Sequence, residues 1–579
     1  MNSRSTGVLA LLLLMTGCAG ASSGTPGAAP RPAPAEPSPV ETPAPQPEAA
    51  PDAPPASEPT FTPDAIPRPG SEEGPPLPAE APTNWQLLDQ EADGIPGASV
   101  EEAYRGPLAG RRPGRTVLVA VIDGGVDTSH VDLREQLWTN PGETPGDGVD
   151  NDGNGYVDDV RGWNFLGGPD GSSVEFDTYE VTRLFAGCVG GEALAVMPER
   201  VSCETVQEDF QARRAEAEQI LETVTGIAGA LDVVLPMLRA GMGTDSLTAE
   251  KVQAFRPIRQ DHQQARGFYL QLTSSGITPA DVEDALEELQ GQVLYNLNPD
   301  FNPRPTVGDD YGDLDQRGYG NPDIMGPDAS HGTHVAGIVA ALRGNDVEAE
   351  GVLEAVQIMG IRAVPRGDEH DKDVANAIRY AADHGAHIIN MSFGKSYSPQ
   401  KEVVDAAVRY ADSLGVLIVH AAGNDGANLA ESPSYPTRSY LAGGSARNWI
   451  TVGASGWSSP DSLAATFSNY GQDEVDLFAP GVDILSTLPG GEVGRQQGTS
   501  MAAPLVTGVA ALLMAYYPEL TAAKVKEILL ETATRHPDRM VARPGDGELV
   551  PFSSLSITGG IVNARAAVER AEALRAEGR

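Results

Sequence analysis

Residues 116–123 read Thr-Val-Leu-Val-Ala-Val-Ile-Asp, six apolar side chains in succession closed by a carboxylate. An apolar run without polar alternation is the pattern of a strand buried on both faces, as in a parallel sheet. Three similar runs follow at 356–364 (VQIMGIRAV), 386–394 (AHIINMSFG) and 416–424 (VLIVHAAGN). Between them, DVANAIRYAADHG at 373–385 and KEVVDAAVRYADSLG at 401–415 have helical spacing and stop at a glycine. Buried strand alternating with helix predicts a mostly parallel sheet with right-handed crossovers and helices on both faces, an α/β/α sandwich of three layers. Functional groups in such a sheet gather at the carboxyl ends of the strands, and Asp123 stands at one.

The 579 residues carry a formal net charge of −41. A surface that negative repels nucleic acid and anionic lipid, and it suits a soluble protein working outside the cytoplasm. At the N-terminus Arg4 precedes a short apolar run, Val8 to Met15, and then Thr16-Gly17-Cys18. The run is too short to cross a bilayer, which takes about 20 residues, so it reads as an export signal over 1–18. LLMTGC resembles a bacterial lipobox, in which the cysteine is lipidated and becomes the mature N-terminus. Met15 stands where Leu is usual, and the other reading is an ordinary signal with an incidental cysteine. With Ala19 next, the resemblance implies an outer-membrane lipoprotein facing the periplasm or the cell surface, held to the membrane by its lipid anchor only.

Residues 19–83 are dominated by Pro, Ala, Ser and Glu and read as a semi-extended tether. They hold too few large apolar residues to fold as an inhibitory prodomain. Order is expected from 84 to 571, interrupted at 169–317, where strand–helix alternation gives way to helical patterns at 204–238, 246–272 and 278–297. Thr278-Pro279 is a helix start with N-cap and first-turn proline. No internal repeat and no further membrane-spanning segment is evident.

Three polar residues stand at element ends. Asp123 lies in VIDGGVD, His331 in HGTHVAG and Ser500 in GTSMAAP, the last two opening apolar helices. Nucleophile, base and base-orienting acid are the groups acyl transfer needs. Taken together, in this order, the three blocks resemble the signatures of the subtilase family, over roughly 84–167 and 318–570. The resemblance implies a subtilisin-like sandwich and a serine endopeptidase. Asp123 would orient His331, and His331 would take the proton of Ser500 as it attacks a peptide carbonyl. It also implies that Asn424 donates to the oxyanion. Ser392, Phe393 and Gly394 would pair with the substrate backbone, and Ala421, Ala422 and Gly423 would line a pocket for a large apolar side chain. Phe393 stands where the family usually has Leu. The alternatives are a catalytically silent binding protein on the same fold, or an esterase or peptide ligase on the same triad.

In DNDGNGYVDD at 150–159, Asp150, Asp152, Asn154, Tyr156 and Asp158 take the spacing of an EF-hand loop. Arg161 occupies the place of the bidentate Glu. The loop reads either as a structural Ca²⁺ site or as an Asp/Asn/Gly-rich turn. His370, His384 and His387 show no ligand pattern. Cys188 and Cys203, the cysteines left once Cys18 is acylated, are expected to form a disulfide in an oxidising compartment. Asp123 and His331 stand 208 positions apart, so the helical insertion leaves and returns beside both. It reads as a cap on the substrate cleft, as a partner dock or as surface decoration, with oligomeric state left open. A cap predicts that replacing residues 175 to 300 by a linker spares small peptides and alters protein cleavage.

Overall fold

The computed structural model describes residues 80–190, 201–458 and 463–578; Cys18 and the tether as far as residue 79 lie outside them. The strands are β1 (Val117–Asp123), β2 (Gly162–Asn164), β3 (Val356–Arg362), β4 (Ile388–Met391), β5 (Leu417–Ala421), β6 (Trp449–Ser455) and β7 (Leu477–Pro480), then β8 (Ile484–Leu488), β9 (Glu492–Gln496), β10 (Thr534–Arg535), β11 (Met540–Ala542), β12 (Leu549–Pro551) and β13 (Gly560–Ile561). Nine of them form one sheet in the order β10-β13-β7-β6-β5-β4-β1-β3-β2. Every pairing in it is parallel except β10 with β13. The hairpins β8-β9 and β11-β12 stand apart from it.

The helices are α1 (Val100–Arg105), α2 (Glu180–Gly190), α3 (Cys203–Met242), α4 (Ala249–Ala254), α5 (Gln260–Ser274) and α6 (Pro279–Gly291), then α7 (Ser330–Ala340), α8 (Asp371–Asp383), α9 (Lys401–Ser413), α10 (Thr499–Tyr516), α11 (Ala522–Thr532) and α12 (Ala564–Ala576). Alternation along β1 explains its unbroken hydrophobicity. Val117, Val119 and Val121 enter one core with α7, α10, α11 and α12, whereas Ala120 and Ile122 enter another with α8 and α9. The sandwich is therefore α/β/α, with an apolar layer on each side of the sheet. Every residue of α10 except Ser500 is buried, which accounts for a hydrophobicity that by composition alone would suit a membrane span.

Helices α2 to α6 form the insertion. Thr278 and Asp281 cap α6 reciprocally with Pro279 in its first turn. α3 runs for 40 residues, about 60 Å at 1.5 Å per residue. A disulfide joins Cys188 in α2 to Cys203 at the start of α3, with 5.7 Å between Cα atoms. Exit and return pair directly: Asn164 N donates to Asn321 O at 2.9 Å and Asn321 N to Asn164 O at 3.1 Å. Gly320 permits the approach, since a Cβ there would lie 2.2 Å from Asn164 O. The flanking chain is welded to the sandwich. Arg304 reaches Asp373 of α8 at 2.6 Å, and Lys372 reaches Asp309 at 2.6 Å, both as buried ion pairs.

Candidate active site

Asp123 ends β1 with its carboxylate almost wholly buried. Gly124 N donates to Oδ1 at 2.7 Å, and His331 Nδ1 lies 2.8 Å from Oδ1 and 3.0 Å from Oδ2. A carboxylate only accepts, so Nδ1 carries the hydrogen and Nε2 is the basic nitrogen. The approach depends on Gly332, where a Cβ would meet Gly125 O at 2.1 Å and Asp123 Cβ at 3.1 Å. Thr333 accepts from Asp127 N at 2.8 Å, which holds the α7 N-terminus against the turn after β1. Burial works against a charge on His331, but Asp123 outweighs it and raises the imidazole's pKa above the ordinary value. His334, one turn on, is pushed down to about 3 by burial. The imidazole of His331 keeps 38% of its surface exposed, open to a partner on the cleft side.

Ser500 is the second residue of α10, after Gly498 at φ 144°. Its Oγ donates to Ser392 O at 3.0 Å and is not hydrogen-bonded to His331. In return Ser392 Oγ donates to Ser500 O at 2.9 Å. That carbonyl is available because Pro504, four residues on, has no N–H to give it. A buried relay orients Ser392: Thr507 Oγ1 donates to Asn390 Oδ1 at 2.8 Å, and Asn390 Nδ2 to Ser392 Oγ at 2.9 Å.

Asn424 follows β5. Its Oδ1 accepts from Thr499 N at 2.9 Å and Thr499 Oγ1 at 3.0 Å, which fixes the amide so that Nδ2 is left as a donor. The N–H of Ser500, in the first turn of α10, has no intrahelical acceptor. Both donors flank Gly498, where a Cβ would lie 3.4 Å from Asn424 Nδ2 and 3.6 Å from Ser500 N. Ser392, Phe393 and Gly394 run from the end of β4, and His420 Nε2 holds Phe393 O at 2.9 Å. Burial pushes the pKa of His420 down to about 4, so it donates as a neutral ring. Ala421 and Ala422 are buried, and Gly423, at φ 102°, has no room for a Cβ, which would lie 2.4 Å from Asn469 Nδ2. Asn469 organises this loop, donating to Ala422 O and accepting from Asp425 N and Ala427 N. Nothing in the sequence marked Asn390 or Asn469, because Asn390 is set by Thr507 and Asn469 acts on residues 422–427, all distant in the chain.

Just beyond Gly394 the insertion is bolted on. Lys395 is buried, with Nζ 2.9 Å from Glu180 Oε2, 2.7 Å from Glu369 O and 2.9 Å from Asp371 Oδ1. Burial disfavours its ammonium, but Asp371, Glu180 and Glu369 together raise its pKa above the ordinary lysine range. Tyr397 OH donates to Asp209 of α3 at 2.8 Å, and Arg213 donates to Ser396 Oγ at 3.1 Å.

In the acidic loop, Asp158 turns away to accept from Gly146 N and Gly148 N, each at 2.8 Å. Asn154 Nδ2 bonds Asp152 and Asp159, and Tyr156 packs its ring on Trp163. The groups that converge are Glu143, Asp150 and Asp152, with ligand atoms within 4.8 Å of one another. Glu143 Oε2 is buried there without a partner. A second group joins Asp152 and Asp159 to His384, which carried no ligand pattern in the sequence. Asp159 in that group is already satisfied by Asn140, Asn154 and Tyr380.

Residues 114–547 match the profile of the subtilase family, and the chain belongs to that family. It is 41% identical over 217 residues to the thermophilic serine proteinase of Bacillus sp. (strain AK1), covering 37% of this chain and 48% of that protein. It is 35% identical over 262 residues to the cell wall-associated protease of Bacillus subtilis (strain 168), covering 45% and 26%. It is 39% identical over 210 residues to subtilisin E of Bacillus subtilis (strain 168), covering 36% and 51%. The matches thus span about half, or less, of these relatives' lengths. Among solved structures, a cold-adapted subtilisin-like serine proteinase superposes with a TM-score of 0.34 at 29% identity, over 42% of this chain and 78% of its own. A protease of Pseudoalteromonas arctica PAMC 21717 superposes at 0.43 and 19% identity, over 85% and 100%.

Proposed function

We propose that the protein is an exported serine endopeptidase that hydrolyses peptide bonds through an acyl-enzyme. The observation that carries this reading is the hydrogen-bonded Asp123–His331 pair, supported by Ser500 in the first turn of α10 and by an Asn424 amide whose Oδ1 is held by Thr499. In this mechanism Ser500 Oγ turns from Ser392 O to His331 Nε2, loses its proton there and attacks the scissile carbonyl. The Asn424 amide and the Ser500 N–H receive the developing oxyanion. His331 then protonates the leaving amine, and water repeats the sequence on the ester. The small side chains at 421–423, facing Ser392–Gly394, suit a large apolar residue before the cut bond. The partners are accordingly proteins and peptides. Ser500→Ala is expected to cut hydrolysis of a peptide substrate at least about 10³-fold with unchanged thermal unfolding; wild-type activity in that variant would overturn the assignment.

The all-oxygen set of Glu143, Asp150 and Asp152, with one buried oxygen lacking a partner, fits a hard divalent cation. Ca²⁺ bound there would brace the loop below β2, and it takes no part in the chemistry. Cys18 is assigned as the lipidated N-terminus on its lipobox-like setting, which gives an envelope location. Cys18→Ser should release the protein from membranes, and undiminished membrane association would refute the anchor.

A further inference from the structure

Arg362 closes β3 as Asp123 closes β1, and the two residues are partners in the parallel register. Its side chain is 2% exposed. A buried cation is costly unless paired, yet every hydrogen-bond partner of this guanidinium is neutral. Nε donates to Gly124 O at 2.7 Å, Nη1 to Asn164 Oδ1 at 3.2 Å and Ser173 Oγ at 2.9 Å, and Nη2 to Val174 O. Gly326, at φ 62°, lies against the group, for a Cβ there would be 2.3 Å from Nε.

These contacts tie together three pieces of chain that are far apart in sequence. Gly124 belongs to the turn that holds Asp123. Asn164, Ser173 and Val174 belong to the exit of the insertion. Gly326 belongs to its return, five residues before His331. Only a rigid planar fork with donors on both sides reaches all of them at once. Burial lowers the pKa of Arg362 to about 10, with Asp323, Asp328 and Glu175 opposing, so the charge persists at neutral pH. That charge sits one strand from a carboxylate whose task is to hold a proton on His331.

We infer that Arg362 is a positioning residue for the Asp123–His331 pair: its fork fixes the Asp123–Gly124 turn against both ends of the insertion, and its charge opposes protonation of His331. The inference rests on the triad reading above. The charged groups facing the site are Asp123 from β1, Asp323 and Asp328 from the return and Glu175 from the exit. His334 on α7 is neutral.

The test uses full-length Arg362→Met and Arg362→Lys, with two readouts: kcat and KM on a small chromogenic peptide, and the titration of ¹⁵N-labelled His331 by NMR. For Arg362→Met, kcat should fall about 10–100-fold, the scale of an ångström-sized misplacement, with KM little changed. The His331 titration, and with it the acid limb of kcat/KM, should move to higher pH. Arg362→Lys should keep the limb in place and restore only part of kcat. An unmoved His331 titration in Arg362→Met, or a kcat equal to wild type, would overturn the inference. Should Arg362→Met fail to fold, Arg362→Gln, which keeps donors without charge, carries the same two readouts. The titration needs no turnover, so it still decides the role of Arg362 if Ser500→Ala disproves the triad.

Discussion

The two ends of helix α3 differ in every physical respect that matters to a protease. At the near end Phe210 stacks on Phe185 with ring centroids 4.1 Å apart, inside a small core with Val181, Leu184 and Leu297. Asp209 and Arg213 reach Tyr397 and Ser396, directly after the proposed substrate wall. Close to them lie Glu180, Asp371 and Lys395, all buried, and the half-buried Arg183, all paired. At the far end α5 packs back along α3 through a satellite core of Leu238, Val252, Ala265 and Tyr269. Among the described residues, the side-chain hydrogen bonds of 244–276 stay within that stretch and none reaches the sandwich. Val233 is 61% and Ile258 97% exposed. One continuous insertion in sequence is therefore two objects in energy: a root that belongs to the protease and a tip that is appended to it. Cutting at 175 would remove Asp177, Glu180 and Arg183, taking Glu180 from Lys395 and Asp177 from His370, so the 175–300 replacement tests the root and not a lid.

The largest expected effect follows from the root. Lys395→Met takes the cation from buried Asp371 and leaves Glu180 with Arg183 alone, and breaking a buried pair typically costs about 3–5 kcal/mol. Urea unfolding should show a loss of that order, and a loss below about 1 kcal/mol would erase the contrast between root and tip. A linker replacing residues 227–275 should by comparison leave kcat on small peptides within about two-fold, since long surface segments are thermodynamically cheap; a collapse of peptide hydrolysis would show that the tip, too, is part of the enzyme. A chelator should lower the melting temperature of wild type, and Glu143→Gln should remove that sensitivity while leaving the tip deletion as chelator-sensitive as the parent. A chelator that leaves wild type unmoved would dispose of the cation site. The mildest effect concerns pH. His331 must be neutral to accept the Ser500 proton, and Asp123 holds its pKa above the ordinary imidazole value against the opposing effect of burial. Activity should therefore fall as pH drops through a value above that of a free imidazole, and a limb below it would contradict the strength of the Asp123–His331 contact.

What could be read from the chain divides along the same line. The apolar run of β1 and the residues after each strand announce themselves because their signal is local: six consecutive apolar side chains, or a glycine where a Cβ cannot fit, as at 332 and 423. Arg362 and Lys395 were illegible because their roles come from partners hundreds of positions away or on loops without periodicity. Glu143 was hidden by a different cause. An EF-hand spacing drew attention to Asp158 and Asn154, whereas the backbone of this loop spends Asp158 on two glycine N–H groups and brings in a glutamate from outside the motif.

The most direct test of the account is to label the full-length protein with a fluorophosphonate and locate the adduct by mass spectrometry. One adduct per chain is predicted, on Ser500, formed at least about 10²-fold more slowly in His331→Ala and absent from Ser500→Ala. An adduct on any other serine, or peptide hydrolysis that survives complete labelling of Ser500, would contradict the account.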